Sequence, residues 1–248
     1  MSKKFSFKEI DEEGQETLEA IAGAYKFNEW MYQTIAPFTQ GKILEVGSGI
    51  GNISNFFLKK GDNLYVSDIR KNYCDILKER FAVYPNLGDI LLLDLVHPDF
   101  EKAFQPYLGY FDSLFALNVV EHIEDDTQAI ANCKKLLKPG GNLIILVPAY
   151  QGLYNRFDEE LYHYRRYNQK TLNALFEKNN IPIIKSFYFN LMGIPGWYVS
   201  GKLQKNKTIP KGQMKLYEML VPIFKVIDKI TLQQAGLSVI TIGKVAKP

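Results

Sequence analysis

Lys42-Ile-Leu-Glu-Val-Gly-Ser-Gly-Ile-Gly-Asn52 sets a short apolar run against three glycines, Gly47, Gly49 and Gly51, and helix-forming sequence follows. An apolar run that ends in glycines reads as a buried strand entering a tight turn, because glycine tolerates left-handed backbone and close approach to a ligand. A dinucleotide fingerprint needs G-x-G-x-x-G, and the position of its third glycine is here Asn52. Pyrophosphate is held at a helix N-terminus. The spacing E-x-G-x-G-x-G instead suits a ligand that asks only for a near backbone.

Outward from this loop, apolar runs alternate with segments of helical period. Strands are expected at 42–46, 63–67, 89–93, 111–117, 143–147, 181–189 and 237–245, with helices at 52–60, 71–81, 125–137 and 171–178. Such alternation favours a parallel sheet covered by helices. Lys138-Pro-Gly-Gly141 reads as a turn between the third of these helices and the fifth strand. Helical segments at 16–35 and 190–236 fall outside the rhythm. The expectation is one α/β domain over 1–248, with a helical cap at 1–40, a core at 41–189, a basic helical insertion at 190–236 and a last strand at 237–248.

Composition narrows the class. The 248 residues are 46% hydrophobic and 23% charged, which excludes a disordered chain. Cys74 and Cys133 stand apart with no metal-ligand spacing, so neither a disulfide framework nor a metal site is expected and a reducing cytoplasm fits. The charged N-terminus has no apolar signal region, and no run approaches the roughly 20 apolar residues that span a bilayer. Net charge is +3, too small to argue for nucleic acid, which is not expected as a partner. Its distribution is uneven, for residues 201–248 carry +7 and the rest −4.

Asp68 follows the second strand about twenty residues on, where a carboxylate accepts ribose hydroxyls or caps the next helix. Asp94 follows Ile90 to Leu93 and can meet an adenine amino group or stand as an exposed strand-end acid. Together, Glu45-Val-Gly-Ser-Gly-Ile-Gly51, Asp68, Asp94, Asn118-Val-Val-Glu-His-Ile123 and Leu137-Lys-Pro-Gly-Gly141 resemble the class I S-adenosylmethionine-dependent methyltransferases over about residues 40–189. The resemblance implies a doubly wound, Rossmann-like α/β fold with a seven-stranded sheet whose last strand is antiparallel, and S-adenosylmethionine as cofactor. It places Glu45, Gly47 and Gly49 at the methionine moiety, Asp68 at the ribose, Asp94 at the adenine and Asn118 beside the reacting methyl. Ser48, Asn52, Ile69 and Leu95 are counted in the same cofactor site. Tyr25, Asn28 and Trp30 can close over it, although Phe27, Trp30, Met31 and Ile35 also have the spacing of a packing stripe.

Methyl transfer needs alignment and exclusion of water, and a hydroxyl acceptor benefits from a base. Among three histidines, His97 lies in a connecting loop, His122 follows the fourth strand, and His163 lies in Phe157-Asp-Glu-Glu-Leu-Tyr-His-Tyr-Arg-Arg-Tyr167. His163 and His122 are the candidate catalytic residues. Five of fifteen tyrosines fall within 150–167. Tyr150, Tyr154, Tyr167, Arg165 and Arg166 would suit an acceptor with an apolar or sugar face and an anionic group. Alternatively, Arg165 and Arg166 pair with Asp158, Glu159 and Glu160 and pin the loop. The HYRRY segment is similar to a bacterial methyltransferase subgroup linked with cell-surface glycan or lipid biosynthesis. In the insertion, Met214, Tyr217, Leu220, Val221, Phe224 and Ile227 keep helical spacing among Lys211, Lys215, Lys225 and Lys229, and Pro222 would kink or restart the helix. That segment could rest on the anionic inner face of a membrane or form a homodimer contact. The expected function is O-methylation of a small-molecule or a saccharide- or lipid-linked acceptor. A cofactor-binding adapter without catalysis and an NAD-dependent oxidoreductase are the alternatives.

Overall fold

The computed structural model describes residues 22–203 and 211–246. Residues 16–21 of the expected cap helix, 204–210 of the insertion, the Lys211 side chain and the last two residues lie outside the described residues.

Seven strands form one sheet: β1 (Lys42–Val46), β2 (Asn63–Asp68), β3 (Leu87–Leu92), β4 (Phe111–Leu117), β5 (Leu137–Pro148), β6 (Ile183–Phe189) and β7 (Ser238–Lys244). Their order is β3-β2-β1-β4-β5-β7-β6, and β7 alone runs antiparallel to its neighbours. The helices are α1 (Tyr25–Ile35), α2 (Ser54–Lys60), α3 (Lys71–Phe81), α4 (Phe100–Ala103), α5 (Asp126–Leu136), α6 (Arg156–Glu160), α7 (Gln169–Lys178), α8 (Gly193–Trp197) and α9 (Lys211–Ile230). The seven-stranded, doubly wound α/β expectation therefore holds.

Strand periodicity divides the core into two layers. Leu44, Leu114 and Leu143 pack with Ile130, Leu172 and Phe176 on one face, and their chain neighbours Ile43, Phe115 and Ile144 pack with Phe57, Leu77 and Val221 on the other. Alternate residues of a strand point to opposite faces, so strands apolar at every position must be covered on both sides. That arrangement leaves the carboxyl ends of the parallel strands as the open crevice where ligands bind in this class of sheet.

Two expectations are revised. Lys138-Pro-Gly-Gly141 is no separate turn but lies within β5, where the register steps from Phe111 opposite Leu137 to Ser113 opposite Asn142. Gly140, at φ +82°, absorbs the irregularity as a bulge. Pro222 does not restart the helix: α9 is one helix of 20 residues running through it, with Val221 and Phe224 buried on either side. The insertion's only two acids tie α9 to α1 and to the insertion's own first residues. Glu218 accepts the Lys26 and Phe27 N–H groups at 3.1 and 2.7 Å, satisfying the start of α1, which has no side-chain cap of its own. Asp228 accepts the N–H groups of Asn190 and Leu191 at 2.6 and 2.9 Å.

Phe115 is fully buried and stacks on Phe57 with ring centroids 5.0 Å apart. Phe115→Ala is expected to cost about 3–5 kcal/mol, measured by denaturant unfolding.

Candidate active site

The glycine loop after β1 turns through three left-handed residues, with φ +70° at Gly47, +53° at Gly49 and +81° at Gly51. A Cβ at Gly47 would collide with Val119, just beyond β4, so the two strand ends approach as closely as glycine allows. The Ser48 N–H donates to the Ser67 carbonyl at 2.8 Å and ties the loop to β2. At the end of β2, Asp68 accepts from the Gly49 N–H and the Arg70 N–H, both at 3.0 Å, which fixes the loop's open edge. Helix α2 starts only at Ser54, leaving Asn52 half-buried in the turn.

Glu45 and Asp68 are both buried here. Burial pushes the Glu45 carboxyl up to about 8, against hydrogen bonds from Ser54 and Ser48, and the nearby Asp68 charge pushes the same way. Burial also raises Asp68, against its N–H donors and the Arg70 charge. Two acids crowded into one dry corner fit a ligand that brings positive charge and hydroxyl donors. S-adenosylmethionine carries both, and these residues would hold its amino acid and ribose ends.

The other expected cofactor residues divide. Asn118 ends β4 with φ +54° and is exposed at the crevice, its own N–H anchored on the Leu146 carbonyl at 2.9 Å. Asp94 is half-buried and accepts the Val96 N–H at 2.8 Å, while Ile69 is exposed after β2. Tyr25 is exposed and lies against Phe56, with ring centroids 5.1 Å apart. Asn28 is buried. Two side chains lie in the core. The Leu95 side chain belongs to the core, and its carbonyl accepts from Asn132 at 2.8 Å. Trp30 is likewise a core residue, packed at 4.4 Å centroid distance on Phe189, because α1 turns its apolar stripe of Trp30, Met31 and Ile35 onto the sheet.

The second half of the site is the loop from Tyr150 to Tyr167. Its hub is Asp158, fully buried, which accepts from Arg166 Nε at 2.7 Å, from the Asn155 N–H at 3.0 Å, and bonds His163 Nδ1 at 2.8 Å. Burial works to raise the Asp158 carboxyl, but the His163 hydrogen bond and the Arg166 charge outweigh it and hold the group ionised. An ionised carboxylate only accepts, so Nδ1 of His163 carries the proton and Nε2 presents a lone pair. Burial and the Arg166 charge lower the His163 pKa despite Asp158, keeping the imidazole neutral at pH 7. His122, on the single turn after β4, meets this ring edge to face at 4.6 Å. Chain folding thus brings both expected catalytic histidines together at the end of the strand that Asn118 closes.

Beneath them, Glu121 is fully buried, and neither carboxylate oxygen has a hydrogen-bond partner. Burial pushes its pKa up to about 8. One donor atom from each of Glu121, His122 and His163 lies within 4.8 Å of the others, a spacing that could also hold a metal ion.

Most expected acceptor residues turn out to hold the loop instead. Arg165 donates to Asp126 at 2.6 Å and to the Glu124 carbonyl at 2.8 Å. Arg166, buried, is spent on Asp158 and the Ala149 carbonyl and lies 4.5 Å over the Trp197 ring. The Tyr154 hydroxyl donates to the His163 carbonyl and the Tyr167 hydroxyl to Asp126, at 2.7 and 2.9 Å. The reading of Arg165 and Arg166 as anion forks gives way to the pinning alternative, with Asp126 rather than Glu159 or Glu160 as the partner of Arg165. Tyr150 is half-buried with φ +61° and stacks on Tyr188. Asp158 is expected from the sequence only as an arginine partner, and its bond to His163, five positions away, is not. The pattern Asn155-x-x-Asp158, a capping box at α6, was the available signal.

The strand order, the glycine loop and the paired buried acids define the class I methyltransferase fold. Residues 44–143, less than half of the chain, match the sequence profile of a methyltransferase-domain family. The squalestatin hexaketide synthase of a Phoma species is 31% identical over 113 residues, which are 42% of this chain and 4% of that one. The chain thus spans only a few per cent of the length of the curated relatives it matches. Among solved structures, phosphoethanolamine N-methyltransferase 2 of Haemonchus contortus with S-adenosylmethionine aligns at TM-score 0.60 and 16% identity, covering 92% of this chain and 57% of that one. A SAM-dependent methyltransferase of Archaeoglobus fulgidus aligns at TM-score 0.55 and 14% identity, covering 88% and 94%. These two likenesses concern the fold.

Glu45 and Glu121 titrate higher when folded than unfolded, so their contribution to stability is complete below the ordinary glutamate pKa and lost as pH rises through about 8. The ligand-free protein is expected to melt lower at pH 8.5 than at pH 5.5 on this account. Glu45→Gln and Glu121→Gln should each flatten that dependence in thermal scans.

Proposed function

We propose that this domain transfers a methyl group from S-adenosylmethionine to an oxygen of a small-molecule or a saccharide- or lipid-linked acceptor, with His163 as the base. The observation that carries the reading is the buried Asp158–His163 pair set against His122 at the carboxyl end of β4. S-adenosylmethionine, when bound, supplies an electrophilic methyl on sulfur. The chain's own residues do the rest. Glu45, Asp68 and the glycine loop hold the methionine and ribose ends, and Asn118 stands where the methyl is presented.

Nε2 of His163 takes the acceptor's hydroxyl proton. The oxygen's electron pair forms the new bond to the methyl carbon, and the pair of the broken carbon–sulfur bond stays with sulfur, giving S-adenosylhomocysteine. Asp158 orients the imidazole and offsets the charge it gains, while Arg166 holds Asp158 in place. His122 forms the adjoining wall. Tyr150 offers a flat face to the acceptor. With Arg165 and Arg166 committed to the loop, the acceptor needs no anionic group for recognition by them.

His163→Gln is expected to lower kcat by roughly 10²–10⁴ with S-adenosylmethionine affinity unchanged. The readout is S-adenosylhomocysteine release against a panel of hydroxyl-bearing glycosides, polyprenyl glycosides and polyketide thioesters, with circular dichroism to check folding. Because the His163 pKa lies below the ordinary imidazole value, the wild-type rate should fall only on the acid side of that value. Unchanged turnover in the variant would remove His163 from the mechanism, and no turnover of any acceptor beside intact cofactor binding would favour an adapter.

A further inference from the structure

Helix α9 buries one face and leaves the other bare. Val221, Phe224 and Asp228 are buried inward, while Leu216, Met219, Ile223, Val226 and Ile230 are 53–73% exposed. These five residues are spaced three, four, three and four apart, which draws a straight apolar seam about 21 Å long on an α-helix. A chain this size carries scattered exposed apolar side chains as a matter of course, but an aligned seam on one helix marks a contact surface.

Charge decides what can cover it. Lys215 and Lys229, both exposed, lie together along one margin of the seam. The helix's only acids, Glu218 and Asp228, are turned inward onto the N–H groups of Lys26, Phe27, Asn190 and Leu191. The seam itself therefore presents apolar groups flanked by Lys215 and Lys229, while the helix's two carboxylates are engaged by N–H groups. Antiparallel two-fold pairing of this face on itself would bring the lysine margins of two copies together. A surface that is apolar within and negative at its rim is complementary, and an anionic bilayer has that profile. Among the described residues no helix is long and apolar enough to cross a membrane, so the contact is one of lying on the surface.

We propose that α9 docks this protein on anionic lipid, with Leu216, Met219, Ile223, Val226 and Ile230 entering the acyl boundary and Lys215 and Lys229 meeting the headgroups. None of the seam residues is assigned to the cofactor or the acceptor, so the inference does not depend on the transfer chemistry.

The test is co-sedimentation of the full chain with vesicles of 30% phosphatidylserine in phosphatidylcholine and with phosphatidylcholine alone, at low and high salt, with S-adenosylmethionine affinity measured on each preparation. Binding to the anionic vesicles, weakened by salt and absent on phosphatidylcholine, is expected. Met219→Glu/Ile223→Glu should abolish it, and Lys215→Ala/Lys229→Ala should weaken it about thirtyfold, each with cofactor affinity intact. No binding by wild type that still binds S-adenosylmethionine overturns the inference and leaves the proposed activity standing. A dimer in light scattering that Ile223→Glu dissociates, with no vesicle binding, also overturns it and gives the seam to a second copy.

Discussion

Two carboxylates, Glu45 and Asp68, are buried side by side where β1 and β2 run out, and the surrounding backbone is built to tolerate them. Ser54 donates to one, and the Gly49 and Arg70 N–H groups donate to the other. Those donors lower both pKa values, yet desolvation still wins and holds Glu45 near 8. Buried charge without a counter-charge is costly. A ligand with positive charge would offset that cost, and S-adenosylmethionine carries one. The glycine loop serves the same end, since a side chain at Gly47 would separate β1 from the residues following β4.

Across the crevice the order is reversed, for the loop from Tyr150 to Tyr167 satisfies its own charges. Asp158 collects Arg166, His163 and the Asn155 N–H, and Asp126 collects Arg165 and Tyr167. Removing either acid would leave a guanidinium without its carboxylate, so these pairs hold the loop in one arrangement. Rigidity is what a base needs, because proton transfer and displacement require alignment within a fraction of an ångström. Glu121 is the exception beneath this network, a buried acid with no partner.

The scaffold was legible because each strand carries a continuous apolar run and each glycine or proline cluster punctuates it. Where reading failed, tertiary contact overrode local signal. Lys138-Pro-Gly-Gly141 has the composition of a turn, but pairing with β4 extends the strand through it as a bulge. Trp30 has the character of an aromatic lid and the spacing of a core stripe, and only the packing on Phe189 decides between them. The places of Glu45, Asp68 and Asn118 at strand ends follow from the sequence. His163 stands out as a histidine amid tyrosines and arginines. Asp158 is one of three neighbouring acids offered to the arginines and is marked further only by its place in the Asn155-x-x-Asp158 capping box, while nothing local to Asp126 points to Arg165. The docking of α9 through Glu218 and Asp228 joins residues up to 192 positions apart and leaves no periodic trace.

The central claim is that cofactor charge completes the Glu45–Asp68 corner. It is tested most directly by titration calorimetry of S-adenosylmethionine at pH 7 in buffers of different ionisation enthalpy. Because Glu45 is protonated at that pH when the corner is empty and ionised once a cationic ligand shares it, release of about one proton per ligand is expected, and Glu45→Gln should abolish it. Binding with no proton release in the wild type, or with the same release in Glu45→Gln, would contradict it.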